Sequence, residues 1–176
     1  MSGHHRLGLC EQGAVDLGMA RRRLGRARHR RPSSDKPLAK TRLADLAGSR
    51  RPAIARAFAA DTVAATLACP EVAEVVVVTD DVETAEAVTA MGATVVDDAP
   101  DAGLNAALRH GAEIARTRRP GAPTAALSAD LPALRPDELA TALRAAAAYP
   151  AAFVADVAGI GTTLYAVTGG TPLRPR

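Results

Sequence analysis

Four consecutive valines, residues 75–78 within EVVVVT, leave little choice of fold. A strand with one solvated face alternates apolar and polar residues, whereas an unbroken β-branched run is buried on both faces. Burial on both faces needs helices on each side of the sheet, and therefore an α/β arrangement. The flanks agree. Pro52 opens a helix that reaches to about Ala68 and ends before Pro70, with Ile54, Phe58, Ala65 and Cys69 near helical spacing and Asp61 and Thr62 as polar positions. Residues 82–91 form a short helix with Gly92 in the C′ position, and residues 93–96 (ATVV) the next strand.

The alternation continues to the end of the chain. A helix begins at Gly103, Leu104 and Asn105; its Leu104, Ala107, Leu108, Gly111, Ile114 and Ala115 form a buried stripe, with His110 off it. Residues 125–134 (AALSADLPAL) hold a short apolar strand, followed by a helix from about Pro136 with Asp137 and Glu138 in its first turn. Strands over 152–156 and 164–167 flank a loop at 159–163 (GIGTT). This pattern is that of a Rossmann-like, doubly wound, mostly parallel sheet.

Charge divides the chain in two. Residues 1–42 carry 11 Lys/Arg against 3 Asp/Glu, a net of +8, while residues 43–176 carry 11 against 16, a net of −5. Residues 1–34 are accordingly expected to be a basic, solvated leader, and residues 35–176 the domain proper. Within the leader, residues 1–20 show no periodicity that predicts an element, and residues 21–31 (RRRLGRARHRR) hold seven arginines, too dense a charge to pack. An arm binding nucleic acid or an acidic surface is the other reading of that run. Aromatic residues are only 2% of the chain, which counts against stacking on unpaired bases. Two cysteines, Cys10 and Cys69, make no disulfide framework, and no apolar stretch approaches a membrane span, so a cytoplasmic setting is expected.

Acids end three successive strands: Asp80 and Asp81, Asp97 and Asp98, then Asp130. In open α/β sheets ligands bind beyond the carboxyl ends of the strands. A carboxylate there can hold a divalent metal, and the metal can hold phosphates. The alternative is that Asp130 makes a turn hydrogen bond or caps the following helix. Lys36, Lys40 and Arg42 cluster before the first globular helix, suited to a triphosphate or to an exposed loop. There is no P-loop lysine motif, no G-x-G-x-x-G after a strand and no serine nucleophile elbow. Phosphate chemistry without a P-loop leaves transferases, sugar-nucleotide enzymes and non-enzymatic nucleotide binders.

Taken in order, KPLAKTRL, DTVAATLACPEVAEVVVVTDD, GATVV, GLNAAL, ALSADLPAL and AFVADVAGIGTTL resemble one family over roughly residues 36–175. It is the phosphoenolpyruvate or 2-phospho-L-lactate guanylyltransferases of coenzyme F-420 biosynthesis, relatives of the molybdenum-cofactor guanylyltransferases. The resemblance implies a Rossmann-like nucleotidyltransferase that moves GMP from GTP to a small phosphorylated three-carbon acid and releases pyrophosphate. Phosphoenolpyruvate, 2-phospho-L-lactate and 3-phosphoglycerate are the acceptors it leaves open; phosphoenolpyruvate gives enolpyruvyl-diphosphoguanosine. It further implies that Asp130 ligates Mg²⁺ and that Lys40 and Arg42, with Lys36, hold the GTP phosphates, Asp130 and Lys40 being the catalytic pair. Thr79, Asp80, Asp81, Gly103 and Asn105 would line the guanosine pocket, and Gly161, Thr162 and Thr163 the acceptor site. Asp80 could instead simply end its strand, Asn105 could cap its helix, and Asp61 is a structural helix residue.

The chain departs from the family pattern in three places. The family opens with a hydrophobic strand running into the lysine loop, where RRRLGRARHRRPSSD stands here, and the loop is about two residues shorter between its lysines. The family continues beyond PLxPR to further acids, whereas the sequence ends at Arg176, and Ile160 occupies a position of a small or hydroxylated residue. These departures predict a sheet incomplete at both ends, without a first strand and without co-ligands for Asp130, as a shifted start and an early end would produce. Three alternatives to the guanylyltransferase follow: another nucleotidyltransferase of the same fold, an inactive nucleotide-binding remnant, and a nucleic-acid binder acting through the arginine arm. The molybdenum-cofactor type lacks support in one respect, since KTRL replaces its LxGGxSxRMG loop.

Overall fold

A computed structural model describes residues 14–18, 50–99, 103–156 and 162–174. Its strands are β1 (Ala14–Gly18), β2 (Glu74–Val78), β3 (Thr94–Val96), β4 (Thr124–Leu127), β5 (Ala151–Ala155) and β6 (Thr162–Val167). Its helices are α1 (Arg51–Leu67), α2 (Val82–Ala90), α3 (Leu104–Arg118) and α4 (Pro136–Ala146). The six strands form one sheet in the order β3-β2-β1-β4-β6-β5. β1 to β4 are mutually parallel, while β6 runs antiparallel to both β4 and β5.

The valine run behaves as its composition requires. Val75 and Val77 pack on one face with Val63 of α1, Val88 of α2 and Leu139 and Leu143 of α4. Val76 points the other way, onto Ala115 of α3. The same alternation divides β4, with Ala125 and Leu127 joining the three-helix face and Ala126 packing with Ala112 of α3, Val167 and Leu173. Few aromatic side chains are needed because the helices meet the sheet through alanine, valine and leucine.

Two periodic patterns differ from the sequence expectation. In α1 the fully buried positions are Ala59, Thr62, Val63 and Thr66, spaced i, i+3, i+4 and i+7, while Ile54, Phe58 and Ala65 are half-buried. The two threonines sit on the core face because each satisfies its hydroxyl on the carbonyl four residues back, Thr62 on Phe58 and Thr66 on Thr62, both at 2.7 Å. In α3 the buried residues are Ala107, Gly111, Ala112 and Ala115. Leu104, placed in the stripe from its spacing, is 46% exposed because it lies at the first turn, beyond the sheet that the stripe covers.

The centre of the sheet is a further difference. The place between β2 and β4, which the sequence reading left without a strand, is taken by β1. It pairs with β2 over five residues and with β4 over three. AVDLG offers no long apolar run to find, since it is short, broken by Asp16 and followed by the arginine-rich stretch. What secures it is the pairing on both sides, a non-local property. The remainder of residues 1–34 lies outside the described residues.

At the end of α2 the expected glycine appears. Gly92 has φ +104°, and its N–H reaches the Thr89 carbonyl at 2.9 Å while the Ala93 N–H reaches Val88 at 3.1 Å. Only a residue without a Cβ takes that conformation without strain, so the helix stops there and β3 begins.

Candidate functional site at the carboxyl rim

Because β1 to β4 are parallel, their carboxyl ends share one edge of the sheet. β5 also ends there, and antiparallel β6 begins there: Leu127 lies opposite Leu164, and Ala155 opposite Thr162. One rim therefore carries Thr79, Asp80 and Asp81 after β2, Asp97 and Asp98 after β3, Ser128 to Asp130 after β4, Asp156 after β5, and Thr162 and Thr163 at the start of β6. Successive connections turn in opposite directions on either side of β1 and β4, the place where such sheets open a crevice for ligands.

Asp130 is exposed and stands on a short segment between β4 and α4. Its carboxylate accepts a hydrogen bond from the Ser128 hydroxyl. The segment is tied to the sheet by the Ser128 N–H, which donates to the Thr163 carbonyl at 2.9 Å, so Asp130 and the β6 threonines are held in one unit. It closes at α4, where Glu138 accepts from the Arg135 N–H at 3.3 Å. There the Arg135 guanidinium, hydrogen-bonded to Asp137 at 3.1 Å, holds the Asp137 carboxyl below the usual carboxylate range.

The β2 and β3 side of the rim is more internally engaged. Asp81 is the N-cap of α2, accepting from the Thr84 N–H at 3.0 Å and the Thr84 hydroxyl at 2.6 Å. The buried Thr79 hydroxyl accepts from the Asp81 N–H at 3.1 Å. Asp80 is exposed and accepts from the Asp98 N–H at 3.0 Å, bridging the ends of the two strands. Asp98 Oδ1 is buried and lacks a hydrogen-bond partner among the described residues. Gly103, with φ +91°, is the N-cap of α3, so Asn105 sits in the first turn as an exposed residue and not as the cap. The first-turn amides of α3 open toward the same rim, an environment suited to anions.

Thus the rim assembles Thr79, Asp80, Asp81, Gly103, Asn105, Asp130, Thr162 and Thr163. Lys36, Lys40, Arg42 and Gly161 lie outside the described residues. Ser128 and Thr62 were not singled out from sequence. Ser128 could have been found as the hydroxyl two residues before the strand-end acid; Thr62 had only its place in the i, i+3, i+4 stripe to mark it.

As a metal site the described rim is sparse. No group of three or more His, Cys, Asp or Glu able to hold an ion occurs among the described residues. That donor set fits a hard cation held by one carboxylate, with phosphate oxygens and water filling the other positions, the usual manner of Mg²⁺ at phosphate sites. It does not fit a closed protein cage.

An α/β sheet with one antiparallel strand and an acid-bearing carboxyl rim has the architecture of the Rossmann-like nucleotidyltransferases, and the family match gives the class. The chain belongs to the MobA-like NTP transferase domain family, whose model matches residues 22–171. NTP transferases of this kind act on a nucleoside triphosphate with a divalent cation. Among curated proteins, it is 61% identical over 142 residues to a phosphoenolpyruvate guanylyltransferase of Thermomonospora curvata, an alignment covering 80% of this chain and 62% of that protein. With a protein of the same name from Streptomyces coelicolor it shares 59% identity over 138 residues, 78% of this chain and 65% of the other. The chain thus spans somewhat under two thirds of these relatives' length. Among solved structures, a nucleotide-diphospho-sugar transferase from Desulfovibrio desulfuricans G20 superposes with a TM-score of 0.60 at 15% identity, covering 89% of this chain and 63% of that one, a likeness of fold. No helix among the described residues is long and apolar enough to cross a membrane.

Proposed function

We propose that this protein transfers GMP from GTP to phosphoenolpyruvate, releasing pyrophosphate, as a cytoplasmic step of coenzyme F-420 biosynthesis. The observation that carries the reading is the position of Asp130 at the carboxyl end of β4, beside the antiparallel β6 threonines, in a chain 61% identical to a phosphoenolpyruvate guanylyltransferase.

In this reaction an oxygen of the acceptor phosphate attacks the α-phosphorus of GTP. The new P–O bond forms as the bond from the α-phosphorus to the α–β bridging oxygen breaks, and pyrophosphate leaves with that oxygen. A phosphate monoester is already anionic near neutral pH, so the chain needs no general base. Its task is to hold two polyanions in line and to offset the charge that gathers on the α-phosphate.

Asp130 is the residue that would hold Mg²⁺, which when bound polarises phosphoryl oxygens. Lys40 and Arg42, with Lys36, hold the triphosphate as cations. Thr79, Asp80 and Asp81 with Gly103 and Asn105 face the guanosine, the exposed Asp80 carboxylate and Asn105 amide supplying the complementary acceptors and donors. Gly161, Thr162 and Thr163 receive the acceptor's carboxylate or phosphate; of these, Thr163 is held close to the Asp130 segment because its carbonyl accepts from the Ser128 N–H.

The test is to incubate the purified chain with GTP, Mg²⁺ and each of phosphoenolpyruvate, 2-phospho-L-lactate and 3-phosphoglycerate, and to follow pyrophosphate. Release with phosphoenolpyruvate is the expected result; release with another acceptor only reassigns the substrate.

A further inference from the structure

A single hydroxyl on a distant helix grips the backbone on both sides of Asp130. Thr62 of α1 is fully buried. Its Oγ1 lies 2.7 Å from the Phe58 carbonyl and 3.2 Å from the Ala129 carbonyl, and it accepts the Leu131 N–H at 3.1 Å. A hydroxyl has one proton and two acceptor lone pairs, so the proton is shared between the two carbonyls while a lone pair takes the amide. Ala129 and Leu131 are the two neighbours of Asp130, and they are 67 and 69 residues from Thr62 along the chain. Thr66, one turn on, shows what such a residue does without this duty: equally buried, its hydroxyl bonds the Thr62 carbonyl and has no partner beyond the helix among the described residues.

We infer that Thr62 is a positioning residue for Asp130. Resting on the function proposed above, its hydroxyl fixes the strand-end segment so that the carboxylate presents one geometry to the cation and phosphates. The segment is otherwise held by the Ser128 N–H on the Thr163 carbonyl and by Ala129, Leu131 and Leu134 packed on the core, while Asp130 itself is exposed. Among the described residues, Thr62 alone bonds the peptides on both sides of it. Fixing the peptides on each side of a ligand limits where its carboxylate can go, the way outer partners orient metal ligands generally.

Three substitutions test this. Thr62→Val keeps the shape and removes the hydroxyl, Thr62→Ser keeps the hydroxyl and removes a buried methyl, and Thr66→Val removes the equivalent hydroxyl without touching the segment. Thr62→Val is expected to lower kcat about 10–100-fold and to raise the Mg²⁺ concentration needed for half activity, with the KM for GTP moved by less than about threefold. Thr62→Ser is expected to lose stability yet keep kcat, and Thr66→Val to lose stability with no kcat effect. Independently of turnover, amide exchange at Leu131 measured by NMR should quicken in Thr62→Val and stay slow in Thr62→Ser and Thr66→Val. Wild-type kcat in a folded Thr62→Val, or equal kcat losses in Thr62→Val and Thr66→Val, overturns the inference. Should Thr62→Val not fold, Thr62→Ser decides it, since loss of kcat there with the hydroxyl retained contradicts positioning by the hydroxyl. A wild-type chain that releases no pyrophosphate defeats the proposed function instead; Leu131 exchange then decides the clamp alone, and unchanged exchange in Thr62→Val overturns it.

Discussion

Ser128 donates its hydroxyl to the carboxylate of Asp130, two residues further along the same turn. The bond is exposed, so its contribution to stability is small, within about 0.5 kcal/mol. In the proposed reaction its effect is larger, because it orients the Asp130 oxygens that would face the cation. Ser128→Ala is therefore expected to leave the melting temperature within about 2 °C of wild type and to lower kcat about tenfold. A steady-state assay beside a thermal melt separates the two, and a large fall in stability with unchanged kcat would place Ser128 in the fold alone.

Asp81 has two duties that substitution can part. As N-cap of α2 it accepts from the Thr84 N–H and hydroxyl, and in the proposed reaction it also faces the guanosine. Asp81→Ala is expected to cost about 1 kcal/mol, the usual loss of a cap. Asp81→Ser keeps a capping oxygen, so stability should recover while the KM for GTP stays raised. Recovery of both in the serine variant would confine Asp81 to capping.

How much of this could be read from the chain depends on whether the determining contact is local. EVVVVT announces a central strand because burial on both faces writes itself into consecutive residues, and Val75, Val76 and Val77 do divide between the two helical layers. The place of Asp130 just beyond β4 could be read because strand-end acids occupy a predictable edge of a parallel sheet. Thr62 could not, since its partners are 67 and 69 residues away and a threonine in a helix looks merely tolerated. β1 escaped for the same reason: AVDLG carries little pattern of its own and is held by neighbours on both sides. Leu104 shares the periodicity of the buried stripe yet is 46% exposed, because periodicity says which face a residue shares, not whether the sheet extends that far.

Cys69 is 2% exposed beneath α4, and burial pushes its thiol above its ordinary value. The native state thus prefers the neutral thiol. That preference contributes stability fully below the unfolded thiol's pKa, and the contribution is lost as pH rises through the raised native value. In a Cys10→Ser background, which leaves one thiol, an alkylating reagent at pH 8 should label the native protein far more slowly than the urea-unfolded chain. Equal labelling rates would contradict the burial of Cys69.

At the edge of the described sheet β5 reads AAFVA, without a charge, and Phe153 and Val154 are 69% and 44% exposed. Edge strands that are apolar and uncharged recruit other strands. Phe153→Lys is expected to reduce concentration-dependent light scattering while leaving the melting temperature near wild type, as substitution at an exposed site should. Unchanged scattering would show that β5 is not the associating edge.

The role proposed for Asp130 is tested most directly by pyrophosphate release from GTP by the wild-type chain and by Asp130→Asn, each with Mg²⁺ and phosphoenolpyruvate, after circular dichroism has shown both to be folded. Release is expected to require GTP, the cation and the acceptor together, and to fall by at least about 100-fold in Asp130→Asn, the scale on which removal of a charge-stabilising group acts. Turnover at the wild-type rate in folded Asp130→Asn would contradict that role.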